Sequence, residues 1–441
     1  MNCVNSGKPL ARAASLLIML CVIGAPALAQ SNGSPPPLDF GLIAGATASD
    51  NVMLVPVDVE RGVVEQAGAY LNFKQDSRRI RANIDLNAAY QHYVDQQFDD
   101  GVIGGVNGVL VLGLAPERID WLFQENYGQT RLNALDALTP ANWEGVNYFT
   151  TGPDLNIRLG KAYSMLLSGR YSLTEYEVSP LGGSRRSASL GFKRQFSEES
   201  SVSLNATGER VQFDALPATY DYDRRETYAR IQVSRARASA SIDAGYAEVS
   251  GDEISKYGML LARIVLRRQV SVTSNLRLQL VSDISDASNA FRAAQNLSGV
   301  SLNPEISAPV AEAFKRRLAI LGWDFSRNRT SLGLSAEYNI EKYVDNAVLD
   351  RSLSRLAGYI SRQLTPGVRG RMDLGLTREE YRGAAVADNL QGMLALNWDA
   401  TRTLSWQLQY AYSDRSGKGP FLQYTENRVS FFLTWAPLAV R

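Results

Sequence analysis

The chain reads as an all-β protein: a transmembrane antiparallel β-barrel of about twenty strands (18–20). Three observations in the sequence predict it. Apolar and polar residues alternate strictly in many segments, the strand candidates are about 12 to 14 residues long, and tight turns alternate with long loops.

The alternation is clear in TLSWQLQYAYS, which starts at Thr403. Leu404, Trp406, Leu408, Tyr410 and Tyr412 fall on one parity, and Ser405, Gln407, Gln409, Ala411 and Ser413 on the other. Successive side chains of a pleated strand point to opposite faces, so this strand has one apolar and one polar side. Likewise Ile80, Ala82, Ile84, Leu86, Ala88 and Tyr90 oppose Arg81, Asn83, Asp85, Asn87 and Gln91. Leu332, Leu334, Ala336, Tyr338 and Ile340 oppose Ser331, Ser335, Glu337 and Asn339. Around residues 210–213 and 352–364 the parity slips, as a β-bulge would make it.

Parity alone leaves open which face is wet, because a soluble sandwich turns its apolar side inward. Length decides. Hairpins recur about every 40 residues, which is also the period of a propeller blade. A blade fits four short strands into that length, whereas this chain has two long ones. Soluble strands average ~5–6 residues, and a membrane strand needs ~9–11 to cross the apolar band.

The connections give the orientation. The tight set comprises QDSRR (75–79), APER (115–118), GKA (160–162), SEES (197–200), SRNRT (326–330), TPGV (365–368) and DATRT (399–403). The long set comprises residues 132–145, 213–221, 342–350, 381–388 and 415–422, with 287–313 the longest and a helical turn expected at FRAAQNL (291–297). Short turns at one end and long loops at the other are the periplasmic and extracellular ends of an outer-membrane barrel. Twenty strands put both termini at the short-turn end.

The first residues fit export to that compartment. Lys8 and Arg12 form a basic n-region, LLIMLCVIG (16–24) an apolar core and Ala27-Leu28-Ala29 a cleavage pattern. The expected organisation is a signal peptide at 1–29, a flexible lead at 30–38, the barrel at 39–437 and a tail at 438–441. Leu20 before Cys21 argues against a lipobox. Cys3 and Cys21 both leave with the signal, which excludes disulfides and thiolate chemistry from the mature chain. The barrel needs neither, because closure pairs every backbone group and removes both sheet edges. The longest apolar run, GVIGGVNGVLVLGLA (101–115), carries five glycines and falls short of the ~18 residues of a spanning helix. About ten residues separate Gln30 from the first strand; the expectation is a barrel with neither plug nor passenger domain.

Charge narrows the function classes. Removing Lys8 and Arg12 leaves 44 basic residues (46 − 2) against 45 acidic ones, a net charge of −1. A nucleic-acid binder usually shows a basic excess, so no nucleic-acid partner is expected. Little looks catalytic. The single histidine, His92, sits on the apolar parity beside Tyr90 with no G-x-S-x-G element, which reads as an interfacial ring rather than a general base. No enzyme activity, cofactor or transition-metal site is expected; Asp221 and Asp223 are a weak carboxylate Ca²⁺ pair. Aromatics cluster near strand ends, as an interfacial girdle requires.

Function is expected on the inward parity. The pore-lining candidates are Arg81, Asp85, Asp154, Arg158, Arg170, Arg230, Arg263, Arg371 and Asp373, with Arg267 on the same parity as Arg263. A barrel of this size is too wide for its own side chains to fill. Mixed arginine and carboxylate rows make a polar, internally compensated lining. Arginine suits that work, since its planar fork pairs bidentately with carboxylates and anionic sugar groups; the chain has 38 arginines and 8 lysines. Only the 287–313 loop is long enough to fold inward.

Three stretches carry a resemblance: ATASDN (46–51), YDRRETYARIQV (222–233) and ENRVSFFLTWAP (426–437). The chain resembles the BBP2-like β-barrel porin family of Gram-negative exopolysaccharide and exosortase systems. It departs from many barrels at its end, where Trp435 is followed by APLAVR rather than closing the chain. The resemblance implies an outer-membrane pore tied to exopolysaccharide export, with polysaccharide and periplasmic export components as partners besides outer-membrane lipid. Two alternatives remain open: a general diffusion porin for small solutes, and a structural barrel or adhesin acting through its extracellular loops.

Overall fold

The computed structural model describes residues 38–133, 136–217, 220–252, 255–295, 312–382, 385–418 and 423–437. The expected signal peptide, nearly all of the lead and the 438–441 tail lie outside the described residues. Twenty strands of 12 to 16 residues follow one another. The first are β1 (Leu38–Ser49), β2 (Gly62–Asp76), β3 (Ile80–Tyr93), β4 (Gly101–Ala115) and β5 (Ile119–Arg131). Next come β6 (Trp143–Arg158), β7 (Tyr163–Tyr176), β8 (Gly183–Ser197), β9 (Ser200–Phe213) and β10 (Tyr222–Arg235). Then follow β11 (Ala238–Gly251), β12 (Tyr257–Ser271), β13 (Ser274–Ser285), β14 (Phe314–Arg327) and β15 (Thr330–Tyr343). The last are β16 (Arg351–Thr365), β17 (Val368–Tyr381), β18 (Ala385–Asp399), β19 (Leu404–Lys418) and β20 (Tyr424–Trp435). Among the described residues one α-helix, α1 (Ala287–Gln295), stands between β13 and β14.

Each strand pairs antiparallel with the next, and β20 pairs with β1, from Leu42↔Trp435 to Ser49↔Arg428. The sheet is therefore closed. Twenty strands at ~4.8 Å spacing and ~40° tilt give a backbone ring roughly 40 Å across. No described helix is long and apolar enough to cross a membrane; the strands do the crossing.

The outer face is the apolar parity. Leu408 is 50% exposed and its register partners Leu396 and Phe431 are exposed too. Leu260, Leu334, Leu356, Leu374 and Leu394 continue the band around the ring. No soluble protein leaves so much apolar surface bare. Aromatics edge the band. Trp121, Trp323, Trp398, Trp406 and Trp435 face outward near the short turns, and Tyr90, Tyr246 and Tyr338 face outward toward the long loops. Both sets are amphipathic rings at headgroup level.

The tight turns set register chemically. Ser77 Oγ accepts from the Ile80 amide at 3.1 Å, and Thr401 Oγ1 from the Leu404 amide at 3.0 Å. Register shifts occur beside such turns, at Gly113/Ala115, Gln195/Ser197, Gln269/Ser271 and Gln363/Thr365. The bulge expected in 352–364 thus lies at its far end. None lies at 210–213, where β9 pairs evenly with β8 and β10. Val211 and Phe213 break the pattern for another reason: they face inward and pack against Tyr222, Val249, Tyr257, Leu261 and Ala313 in an apolar cluster inside the ring.

The seam between β1 and β20 is the shortest of the twenty pairings, with eight register pairs. Gly45 allows the strands to close there, because a Cβ would meet the Phe431 carbonyl oxygen and the Phe432 ring. Overpacking such a site costs ~1–3 kcal/mol. Gly45→Leu is therefore expected to weaken closure, seen as loss of the heat-modifiable, fast-migrating folded band on SDS gels at a lower temperature than wild type.

Candidate functional site in the barrel lumen

Register from strand to strand carries all nine candidates onto the parity opposite the apolar band, so their side chains face the lumen. Arg230 grips Asp243 at 2.6 Å and Arg371 grips Asp373 at 2.6 Å. Arg263 bridges Glu226 at 3.0 Å and Asp283 at 3.1 Å. Asp154 pairs with Arg170 at 2.6 Å, while Arg158, close in sequence, reaches Glu117 in the turn at 2.8 Å. Arg81 pairs with Asp120 at 2.8 Å rather than with Asp85, which stays exposed and accepts from Asn83 at 3.4 Å.

The strongest electrostatic feature includes residues the sequence reading passed over. Toward the long loops a belt of alternating charge runs along the inner wall. Arg185 on β8 pairs with Glu209 on β9 at 2.7 Å, and Arg224 on β10 with Glu226 at 3.3 Å. Arg263 on β12 joins Glu226 to Asp283, which also holds Arg316 on β14 at 3.1 Å. Arg316 lies opposite Glu341 in register, and Arg351 on β16 links Glu341 at 3.1 Å to Glu379 on β17 at 2.7 Å. Most of these side chains are buried. Removing one member of such a pair costs ~3–5 kcal/mol, because the partner is left charged without water. The parity of YDRRETYARIQV was the available signal for Arg224 and Glu226.

Two segments fold into the mouth, and one of them meets the belt at Arg185. The chain leaving β13 turns inward at Asp286, whose carboxylate takes two bonds from Arg185, both at 3.0 Å, and one from the Tyr222 hydroxyl at 3.1 Å. The same carboxylate accepts the Asn289 amide at 2.9 Å, capping α1. Phe291, on the buried face of α1, packs against Val146, Tyr148, Tyr176 and Leu181. The helix thus starts four residues before the expected FRAAQNL, and the end of that motif lies outside the described residues. From the other side, residues 136–142 reach across to β19, where Arg415 donates to the Asp136 carbonyl at 2.7 Å. Asn142 stiffens this loop by donating to the Asn133 and Ala137 carbonyls at 2.9 and 3.0 Å.

Burial alone would raise the Asp286 pKa, yet Arg185 and Arg224 hold it well below the ordinary carboxylate range. Its contribution to docking α1 is therefore complete above that range and fades only as pH falls through the depressed value. Single-channel conductance is expected to stay constant from about pH 8 to about pH 4. A step within that window would show that another group holds the helix.

Outside the lumen, His92 faces the exterior rim, with Nδ1 at 2.7 Å from Asp100; the Tyr90 hydroxyl and the Tyr93 amide also bond Asp100, at 2.9 and 3.0 Å. This constellation ties the 94–100 loop to β3. Asp221 accepts the Phe213 amide at 3.0 Å and closes its own loop. No group of three or more His, Cys, Asp or Glu side chains suited to a metal occurs among the described residues.

Fold and site together define a transmembrane β-barrel with a charged, water-accessible lumen narrowed by inward segments. No family profile matches the chain, and no curated protein matches its sequence. It is similar in outline to solved barrels. One is OccK2 (OpdF) of Pseudomonas aeruginosa in complex with glucuronate, at 9% identity and TM-score 0.41, covering 92% of this chain and 100% of that one. Another is the siderophore receptor PirA of the same organism, at 12% identity and TM-score 0.44, covering 92% and 81%. A third is the FrpB iron transporter of Neisseria meningitidis, at 7% identity and TM-score 0.43, covering 90% and 81%.

Proposed function

We propose that the protein is a non-enzymatic outer-membrane pore for hydrophilic solutes, with the short turns in the periplasm and the long loops outside. The observation that carries this reading is the pairing of an exposed apolar exterior with a lumen lined by arginine–carboxylate rows. The nine candidate residues line its path. Two cargoes are supported by different observations. The resemblance in residues 46–51, 222–233 and 426–437 favours association with exopolysaccharide export. The narrowing by α1 and residues 136–142 favours small solutes, since a polymer would have to displace both.

Gene deletion and proteoliposome swelling separate these readings. For the exopolysaccharide role, deletion lowers surface polysaccharide while export components remain present. Normal polysaccharide in the null strain, together with swelling in small sugars, leaves the diffusion pore. Liposomes that do not swell in any sugar, with polysaccharide unchanged, refute both.

A further inference from the structure

The lumenal lining is compensated unevenly. Toward the long loops nearly every arginine has its carboxylate. Toward the short turns, Arg267 on β12 lies directly opposite Arg277 on β13 in register, both on the lumenal parity. Neither has an ion-pair or hydrogen-bond partner among the described residues. Like charges directly opposite each other destabilise a sheet pair, and here no carboxylate forms an ion pair with either of them. Arg267 is exposed to the lumen. Arg277 extends over Gly322, whose missing side chain leaves the guanidinium lying along the wall 3.5 Å from where a Cβ would stand. Asp324, opposite Asn275, makes no ion pair with either arginine. The flanking register partners are uncharged: Ser239 opposite Arg267, and Gln279 opposite Val265.

We infer that Arg267 and Arg277 form an oxyanion-binding site on the solute path, near the periplasmic mouth, that draws in solutes carrying a carboxylate or phosphate group. Two adjacent guanidinium forks offer parallel N–H donors to such a group. The anion supplies the negative charge that the wall withholds, so the site is electrostatically complete only when occupied. The mouth therefore selects for anions, while the compensated belt further along is neutral to charge. This inference rests on the pore reading above.

The test uses the purified full-length protein in planar bilayers and proteoliposomes. Galactose uptake reports whether a path exists; none at all refutes the pore and this site with it. Given uptake, a potassium chloride gradient reads selectivity. Wild type is expected to favour chloride over potassium, and Arg267→Gln and Arg277→Gln each to lower that ratio about tenfold, since one charge ~6 Å from the path in water acts about threefold on each ion in opposite directions. Arg267→Lys and Arg277→Lys keep the charge and should keep the ratio. Folding of every variant is checked by heat-modifiable migration. Galacturonate and galactose 6-phosphate, added at the short-turn side, are expected to block the chloride current in wild type and not in the double glutamine variant. Block by one alone assigns the carboxylate or the phosphate. Galactose uptake with a selectivity unchanged by both glutamine variants, or with no block by either anion, overturns the site and leaves the pore.

Discussion

Leu408→Arg is expected to abolish assembly in the outer membrane, whereas Gln407→Arg, one residue away, is expected to assemble normally. Leu408 sits on β19 between Leu396 and Phe431, three apolar side chains on the lipid-facing parity. An arginine there faces the apolar band, where a lipid-facing charge costs up to ~2–4 kcal/mol depending on depth. That is a large share of the ~5–15 kcal/mol net stability of a folded protein. Gln407 faces the lumen between Asn397 and Phe432. Its replacement adds a charge to a wet wall already lined with arginines, where the cost is small. The measurement is the amount of heat-modifiable protein in outer-membrane fractions. Equal amounts for both variants would mean that the faces are assigned the wrong way round.

The same alternation explains what could be read in advance. Period-two patterning is local, so TLSWQLQYAYS and the Ile80–Tyr90 segment showed both strand and face. The tight turns were legible for the same reason, since Ser77 and Thr401 bond within their own turns. Tertiary partners were not. Asp154 and Arg158 look like a pair in sequence, but cross-strand register gives Asp154 to Arg170 and Arg158 to Glu117. The parity slip at 210–213 resembled a bulge because the sequence shows apolar residues without showing what they pack against; Val211 and Phe213 meet an inward cluster built from β10, β11, β12 and Ala313. The pairing of Asp286 with Arg185 carried no local signal, since the two are 101 positions apart; only its role as a helix cap, bonded to the Asn289 amide, was local. The preference for arginine over lysine was visible in composition, and its use was not. Arg263 and Arg351 each bridge two carboxylates at once, which a planar fork does well and a single ammonium does less well.

The latch formed by Asp286 gives the second large effect. Asp286→Ala should release α1 from the wall and raise the rate of liposome swelling several-fold without reducing the amount of folded barrel. The substitution removes the helix cap, worth ~1 kcal/mol, and the bidentate partner of a buried arginine, where loss of one member costs ~3–5 kcal/mol. Arg185 keeps Glu209 at 2.7 Å, so the lower end of that range applies. The Phe291 contacts with Val146, Tyr148 and Tyr176 oppose release, and one buried phenylalanine contributes ~1.5–3 kcal/mol. The two are close enough that helix undocking, rather than barrel unfolding, absorbs the change, because the twenty-strand hydrogen-bond ring does not depend on α1. Amide exchange should accelerate in residues 287–295 and stay slow in β6 and β8. The compensating double variant Arg185→Met with Asp286→Leu replaces the pair by apolar volume, a change that is often neutral for a buried ion pair. It should restore slow exchange and low swelling. If swelling rises equally in the single and double variants, the helix is held by its cap rather than by the charge clamp; if it rises in neither, α1 does not limit the aperture and residues 136–142, fastened by Arg415, set the width alone.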